Sequence, residues 1–149
     1  MQPNLMPHLL RCLGALLLLV LLTAARAAPL TLRFAHLGVE QGLTQESVTS
    51  LVQDRQGYMW LGTQAGLNRF DGYRITAFKN DPSNPQSLQD NYIQSLYEDA
   101  AGQLWIGSRS GLDRYDPATQ VFTHVLSKAA VTGIVSDGKQ GLWLATGDG

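Results

Sequence analysis

From Val48 to Asp54 the chain reads "VTSLVQD", and from Ile93 to Asp99 it reads "IQSLYED", both alternating apolar and polar residues. A period of two over this length predicts a strand with one face on a core. Each run ends in D-x-x-G, a turn in which the carboxylate accepts backbone N–H groups and Gly takes the positive φ that other residues avoid. Second strands follow in "YMWLGT" and "QLWIGS", both rich in β-formers. Then come a Gly-containing turn, a short third strand ("LNRF", "LDRY"), a turn at Asp71-Gly72 or Asp116-Pro117, and a fourth strand ("YRITAFK", "QVFTHVL"). Leu88, Tyr92 and Leu96 in "LQDNYIQSLYEDA" are also spaced for a helix, but the second half of that stretch matches "SVTSLVQD", which favours the strand.

The two patterns are copies of one unit. Aligning Val48–Asp71 with Ile93–Asp116 at a constant offset of 45 gives 10 identities in 24 positions. Asp54, Gly57, Trp60, Gly62 and Gly66 meet Asp99, Gly102, Trp105, Gly107 and Gly111. A third copy begins at Val131, with Asp137 and Trp143 in register, and reaches Gly149. All three tryptophans of the chain therefore occupy one repeat position. Four short antiparallel strands in about 40–45 residues make the blade of a β-propeller. The expected fold is all-β: about two and a half blades of an incomplete propeller, since closed propellers have about four to eight. A lone blade cannot bury both faces, so Trp60, Trp105 and Trp143 are expected to fill the gaps between blades. The small residues after them (Gly62-Thr63, Gly107-Ser108, Ala145-Thr146) let neighbouring sheets approach. Arg69 and Arg114, each two residues from an Asp, are expected to pair with carboxylates.

The N-terminus changes the picture of where the protein works. Arg11 precedes the apolar run Leu13–Leu22, and Ala25-Arg26-Ala27 has the form of a secretory cleavage site. Residues 1–27 thus read as a signal peptide whose removal takes away Cys12, the only cysteine. It also removes Arg11 and Arg26, leaving nine basic against 12 acidic residues. No Lys/Arg run exists, so nucleic-acid binding is excluded.

The motif D-x-x-G-x-x-W-x-G-[TS]-x-x-G-L-x-R-[FY]-D, complete at Asp54–Asp71 and Asp99–Asp116 and partial at Asp137–Gly149, resembles the two-component regulator propeller repeat. The third copy departs from it, with Gln140 at the turn glycine and Ala145 after the tryptophan. The resemblance implies the periplasmic input region of a membrane-anchored bacterial receptor, with a histidine kinase or diguanylate cyclase as the later output domain. It also implies a receptor dimer and membrane attachment only through later parts. The organisation read from the chain is residues 28–47 as an entry segment, 48–79 as repeat 1, 80–92 as a Pro/Asn-rich inter-blade loop, 93–127 as repeat 2 and 128–149 as a partial repeat 3. A strand at Leu30–Leu37 is expected to complete a missing last blade.

Candidate chemistry is sparse. His36 and His124 stand alone, and "DGKQG" lacks the acidic spacing of a calcium loop, so neither a metal site nor a cofactor is expected. No motif for nucleophilic or phosphate chemistry occurs, and Asp54 and Asp99 recur in each copy as a turn role requires, so no catalysis is expected. Strand alternation puts the turns between second and third strands on one face with the inter-blade connections. The ligand candidates on those loops are Gln64, Arg109, Asn84 and Gln86, facing an extracellular small molecule or oligosaccharide. Two other functions fit a propeller: a secreted polysaccharide-binding or polysaccharide-degrading module, and a protein-interaction scaffold.

Overall fold

A computed structural model describes residues 34–147. The signal peptide, Cys12 and the cleavage site lie outside the described residues. Alternation becomes strands where the sequence places them. Blade 1 holds β1 (Val48–Gln53), β2 (Met59–Thr63), β3 (Gly66–Phe70) and β4 (Ile75–Phe78), hydrogen-bonded in that order. Blade 2 holds β5 (Ile93–Glu98), β6 (Leu104–Ser108), β7 (Gly111–Asp116) and β8 (Val121–Ser127) in the same order. Blade 3 contributes β9 (Val131–Ser136) and β10 (Leu142–Thr146). Every pairing is antiparallel. The architecture is all-β, that of an incomplete propeller.

The entry segment precedes the blades and forms no strand among the described residues. Phe34–Leu37, the described part of the expected N-terminal strand, is without regular structure, because no strand edge among the described residues pairs with it. A short 3-10 turn, Val39–Gln41, follows, held by the Gln41 side-chain oxygen accepting the Gly38 N–H at 2.7 Å.

Packing between blades uses the first strands: β1 lies against β5, and β5 against β9. A Cβ on Gly62 would come within 2.7 Å of Ile93 Cγ2, and one on Gly107 within 2.9 Å of Val131 Cγ1. The glycine two residues after Trp60 and after Trp105 is thus the notch that receives the first residue of the next blade, and both Ile93 and Val131 are fully buried. Hydroxyl bonds cross the same seams. Thr49 donates to the Ile93 carbonyl at 2.7 Å, Ser50 accepts the Leu96 N–H at 3.0 Å, and Ser95 donates to the Val131 carbonyl at 3.1 Å.

The third copy keeps its turn by moving a glycine. In blades 1 and 2 the fourth turn residue takes the positive φ, 91° at Gly57 and 81° at Gly102. In blade 3 Gly138, the second turn residue, takes it at 79°, and Gln140 is spared. Ala145 is compensated in the same way. It pairs across the strands with Gly133, whereas Gly62 and Gly107 pair with Ser50 and Ser95. The small partner has changed strand.

Candidate functional site

The repeat carboxylate does two jobs. One Asp54 oxygen accepts the Gln56 and Tyr58 N–H groups at 3.0 and 2.9 Å, and the other accepts the Trp60 indole N–H at 2.7 Å. Asp99 repeats this with Ala101, Gln103 and Trp105 at 2.9, 2.9 and 2.8 Å. Burial pushes the Asp99 carboxyl up, but the Trp105 indole, the two backbone N–H groups and Arg55 outweigh it and hold the carboxyl below the usual range. The fixed Asp–Trp spacing follows from this pair of bonds. In blade 3 Asp137 accepts the Lys139 and Gly141 N–H groups at 2.7 and 2.9 Å and keeps only the turn half of the arrangement.

Trp60 is 2% exposed, edge-on to Tyr115 of blade 2 at 5.0 Å and stacked with Phe78 at 5.7 Å. Trp105 is only half-buried and Trp143 is 69% exposed among the described residues. The physical reason is the covering residue. Tyr115, on the third strand of blade 2, covers Trp60, and among the described residues blade 3 has no third strand to do the same for Trp105. Arg69 also differs from expectation. Its guanidinium lies 4.9 Å from the Tyr58 ring, 5.7 Å from Trp60 and 5.8 Å from Phe78, and it donates to the Tyr115 hydroxyl at 3.5 Å. An aromatic box is the closer partner for its planar cation than the exposed Asp71. Burial raises the Tyr115 phenol, with Arg69 opposing it. Arg114 stays exposed, and its charge helps hold Asp116 below the usual carboxylate range, behind the Ala118 N–H and Thr119 hydroxyl.

The four ligand candidates fall into two places. Gln64 donates to the Tyr92 hydroxyl at 3.3 Å, and the Arg109 N–H donates to the Tyr92 carbonyl at 3.0 Å. Tyr92, at the end of the inter-blade loop, joins the two turns. Asn84 and Gln86 lie elsewhere in that loop, which folds back over the start of β8, where the Phe122 N–H donates to the Gln86 carbonyl at 3.0 Å. The Asn84 side chain caps its own turn through the Gln86 N–H at 3.0 Å. These two residues line a groove of about 250 Å³ with Phe78, Lys79, Asp81 and Gln120. The Ser83 hydroxyl and N–H hold the Asp81 carboxyl below the usual range, so it is ionised at neutral pH. Gln120 has a left-handed φ of 57°, uncommon for a residue with a side chain. Aromatic edges, three amides, an ammonium and a carboxylate can together hold a polar, hydroxyl-rich molecule. Among the described residues no group of three metal-ligating side chains assembles.

One functional pair escaped the sequence reading. Asn68 of β3 accepts the Thr44 N–H at 3.0 Å, and Asp113 of β7 accepts the Gln89 N–H at 2.9 Å. Each pins the segment that enters its own blade, beside buried Leu43 and Leu88. The signal was present as a polar residue in a strand directly after Gly-Leu, at the same offset of 45.

Residues 42–65 and 87–110 match the family described as two component regulator propeller. The chain is 32% identical to the extracellular domain assigned to a hybrid two component system of B. thetaiotaomicron, with a TM-score of 0.67 over 74% of this chain and 17% of that one. A second such domain from the same organism is 28% identical, with a TM-score of 0.57 over 66% of this chain and 15% of that one. A histidine kinase of Formosa agariphila is 43% identical over 47 residues, 32% of this chain and 3% of that protein. The chain thus spans a small part of the length of each. The matched segments start six residues before β1 and β5, and so include the pinned entry residues Leu43-Thr44 and Leu88-Gln89. Its repeats, its blade topology and these relatives together show that the chain carries two-component regulator propeller repeats on the fold of such extracellular domains.

Proposed function

We propose that this chain is the non-catalytic, ligand-sensing input region of a membrane-anchored receptor of two-component type, and an N-terminal portion of it. The observation that supports this most is the shared blade, in sequence and topology, with extracellular domains of hybrid two component systems. Export through residues 1–27 and a periplasmic position fit that reading, as does a receptor dimer. The ligand is a small extracellular molecule or oligosaccharide, contacted by Asn84 and Gln86 in the groove and by Gln64 and Arg109 at the Tyr92 turns.

The test uses the natural gene product with whatever follows Gly149, in inverted membrane vesicles loaded with a panel of neutral and acidic oligosaccharides. Output activity that one class raises or lowers, and that Asn84→Ala with Gln86→Ala blunts, is the expected result. Output indifferent to the whole panel, or a gene product lacking any output domain, would overturn the reading.

A further inference from the structure

Asp113 on β7 and His124 on β8 are cross-strand partners, with Asp113 Oδ1 2.7 Å from His124 Nδ1. The other carboxylate oxygen accepts the Gln89 N–H at 2.9 Å. Asp113 is fully buried, while the His124 side chain is 32% exposed and gives protons a route in. Blade 1 does the same work without ionisable groups. There Asn68 pairs across the strands with Ala77 and holds the Thr44 N–H. The scaffold requirement is met by an amide, so the acid and the imidazole of blade 2 add a property that blade 1 lacks. The segment they hold is tied further by Gln89 to the Leu126 carbonyl and the Ser127 hydroxyl, and by Asp90 to the Ser110 hydroxyl. From the loop, Asp90 is the charged group facing the pair, and β6 places apolar Ile106 opposite Asp113.

We propose that Asp113 and His124 form a proton-responsive latch, through which the acidity of the solution sets how firmly the Asn80–Asn91 loop is held on blade 2. Burial raises the Asp113 carboxyl above its usual range; the His124 bond and charge and the Gln89 N–H oppose this, and Asp90 reinforces it. Opening the loop returns the carboxyl to water, where its ionised form is favoured. The closed arrangement is therefore strongest while Asp113 is protonated and weakens as pH rises through the raised value. The loop carries Asn84 and Gln86, but the latch does not depend on a ligand.

Hydrogen exchange of the Gln89 amide in the full chain, relative to the Thr44 amide and corrected for intrinsic rates, tests this from about pH 4 to about pH 7. Gln89 protection should fall several-fold relative to Thr44 across that range. Asp113→Asn with His124→Ala restores the blade 1 pair and should make the ratio independent of pH without loss of the fold. His124→Ala alone should move the loosening to higher pH, since an opposing group is gone. A flat ratio in the parent, or an unchanged pH dependence in the double variant, would overturn the latch.

Discussion

Between blades 1 and 2, Trp60 lies under Tyr115 and Phe78, Arg55 reaches across to Glu98 at 3.2 Å, and an empty space of only about 20 Å³ remains. Between blades 2 and 3, Trp105 borders a hollow of about 510 Å³ lined by Ala100, Ala101, Lys139 and Leu142. The residue at the position of Arg55 is Ala100, and the residue at the position of Glu98 is Ser136. Yet both seams share the glycine notch, with Ile93 over Gly62 and Val131 over Gly107. In both, the tryptophan indole N–H also donates to the repeat Asp. The difference separates two layers of the repeat. Contacts within a strand pair, and those made by the first strand of the next blade, appear wherever the motif does. Burial of the tryptophan waits for the third strand of the next blade, because only that strand brings the covering ring.

The largest expected effect compares the tryptophans. Trp60→Ala should cost roughly 3–5 kcal/mol in urea melts of the chain, by leaving a cavity in a filled seam. Trp105→Ala should cost clearly less and Trp143→Ala almost nothing, because neither empties a closed space. Equal losses at all three would break the comparison.

Next is the notch. Gly62→Ala puts a methyl group 2.7 Å from Ile93 Cγ2, so it should destabilise by about 1–3 kcal/mol through overpacking. Ile93→Ala, which removes Cγ2, should cost less in that background than in the parent chain. Ala145→Gly, at the compensated position of blade 3, should stay within about 0.5 kcal/mol. Thermal melts of the set would show whether the notch carries the packing.

The Arg55 clamp is smaller. Besides Glu98 it donates to the Asp99 and Ala100 carbonyls at 2.9 and 3.0 Å, but its side chain is half exposed. Arg55→Ala should therefore cost below about 1 kcal/mol and less as salt is raised. Ala100→Arg alone should gain nothing, and only with Ser136→Glu should it stabilise the second seam. A full gain from Ala100→Arg by itself would show that carbonyl contacts, not the ion pair, make the clamp.

The smallest effect is in acid. Asp99 is held below the usual carboxylate range in the fold, so its contribution to stability is present above that range and is lost as pH falls through the lowered value. Asp99→Asn should flatten the acid limb of a stability–pH curve slightly while leaving neutral stability reduced. An unchanged acid limb would assign the carboxylate a purely geometric role.

Most of the blade was legible from local signals. Alternation and D-x-x-G are properties of neighbouring residues in the chain, and strand pairing through tight turns converts them directly into hairpins. The candidate groove was half legible. Asn84 and Gln86 stand out as polar residues in a long loop, but its course over β8 depends on the Gln86–Phe122 backbone bond and on Leu88 being buried between blades. No sequence window contains both ends of those contacts.

Tertiary structure alone decided the rest. It buried Trp60 beneath a ring of the next blade, moved Arg69 from a carboxylate to an aromatic box, and turned the Asn68 and Asp113 strand positions into anchors for the entry segments. Each outcome is set by which side chain a neighbouring strand or blade brings within reach. The repeat pattern determines what a blade is, through backbone preferences within about 25 residues, while each side chain's surroundings follow from burial and charge supplied across a seam.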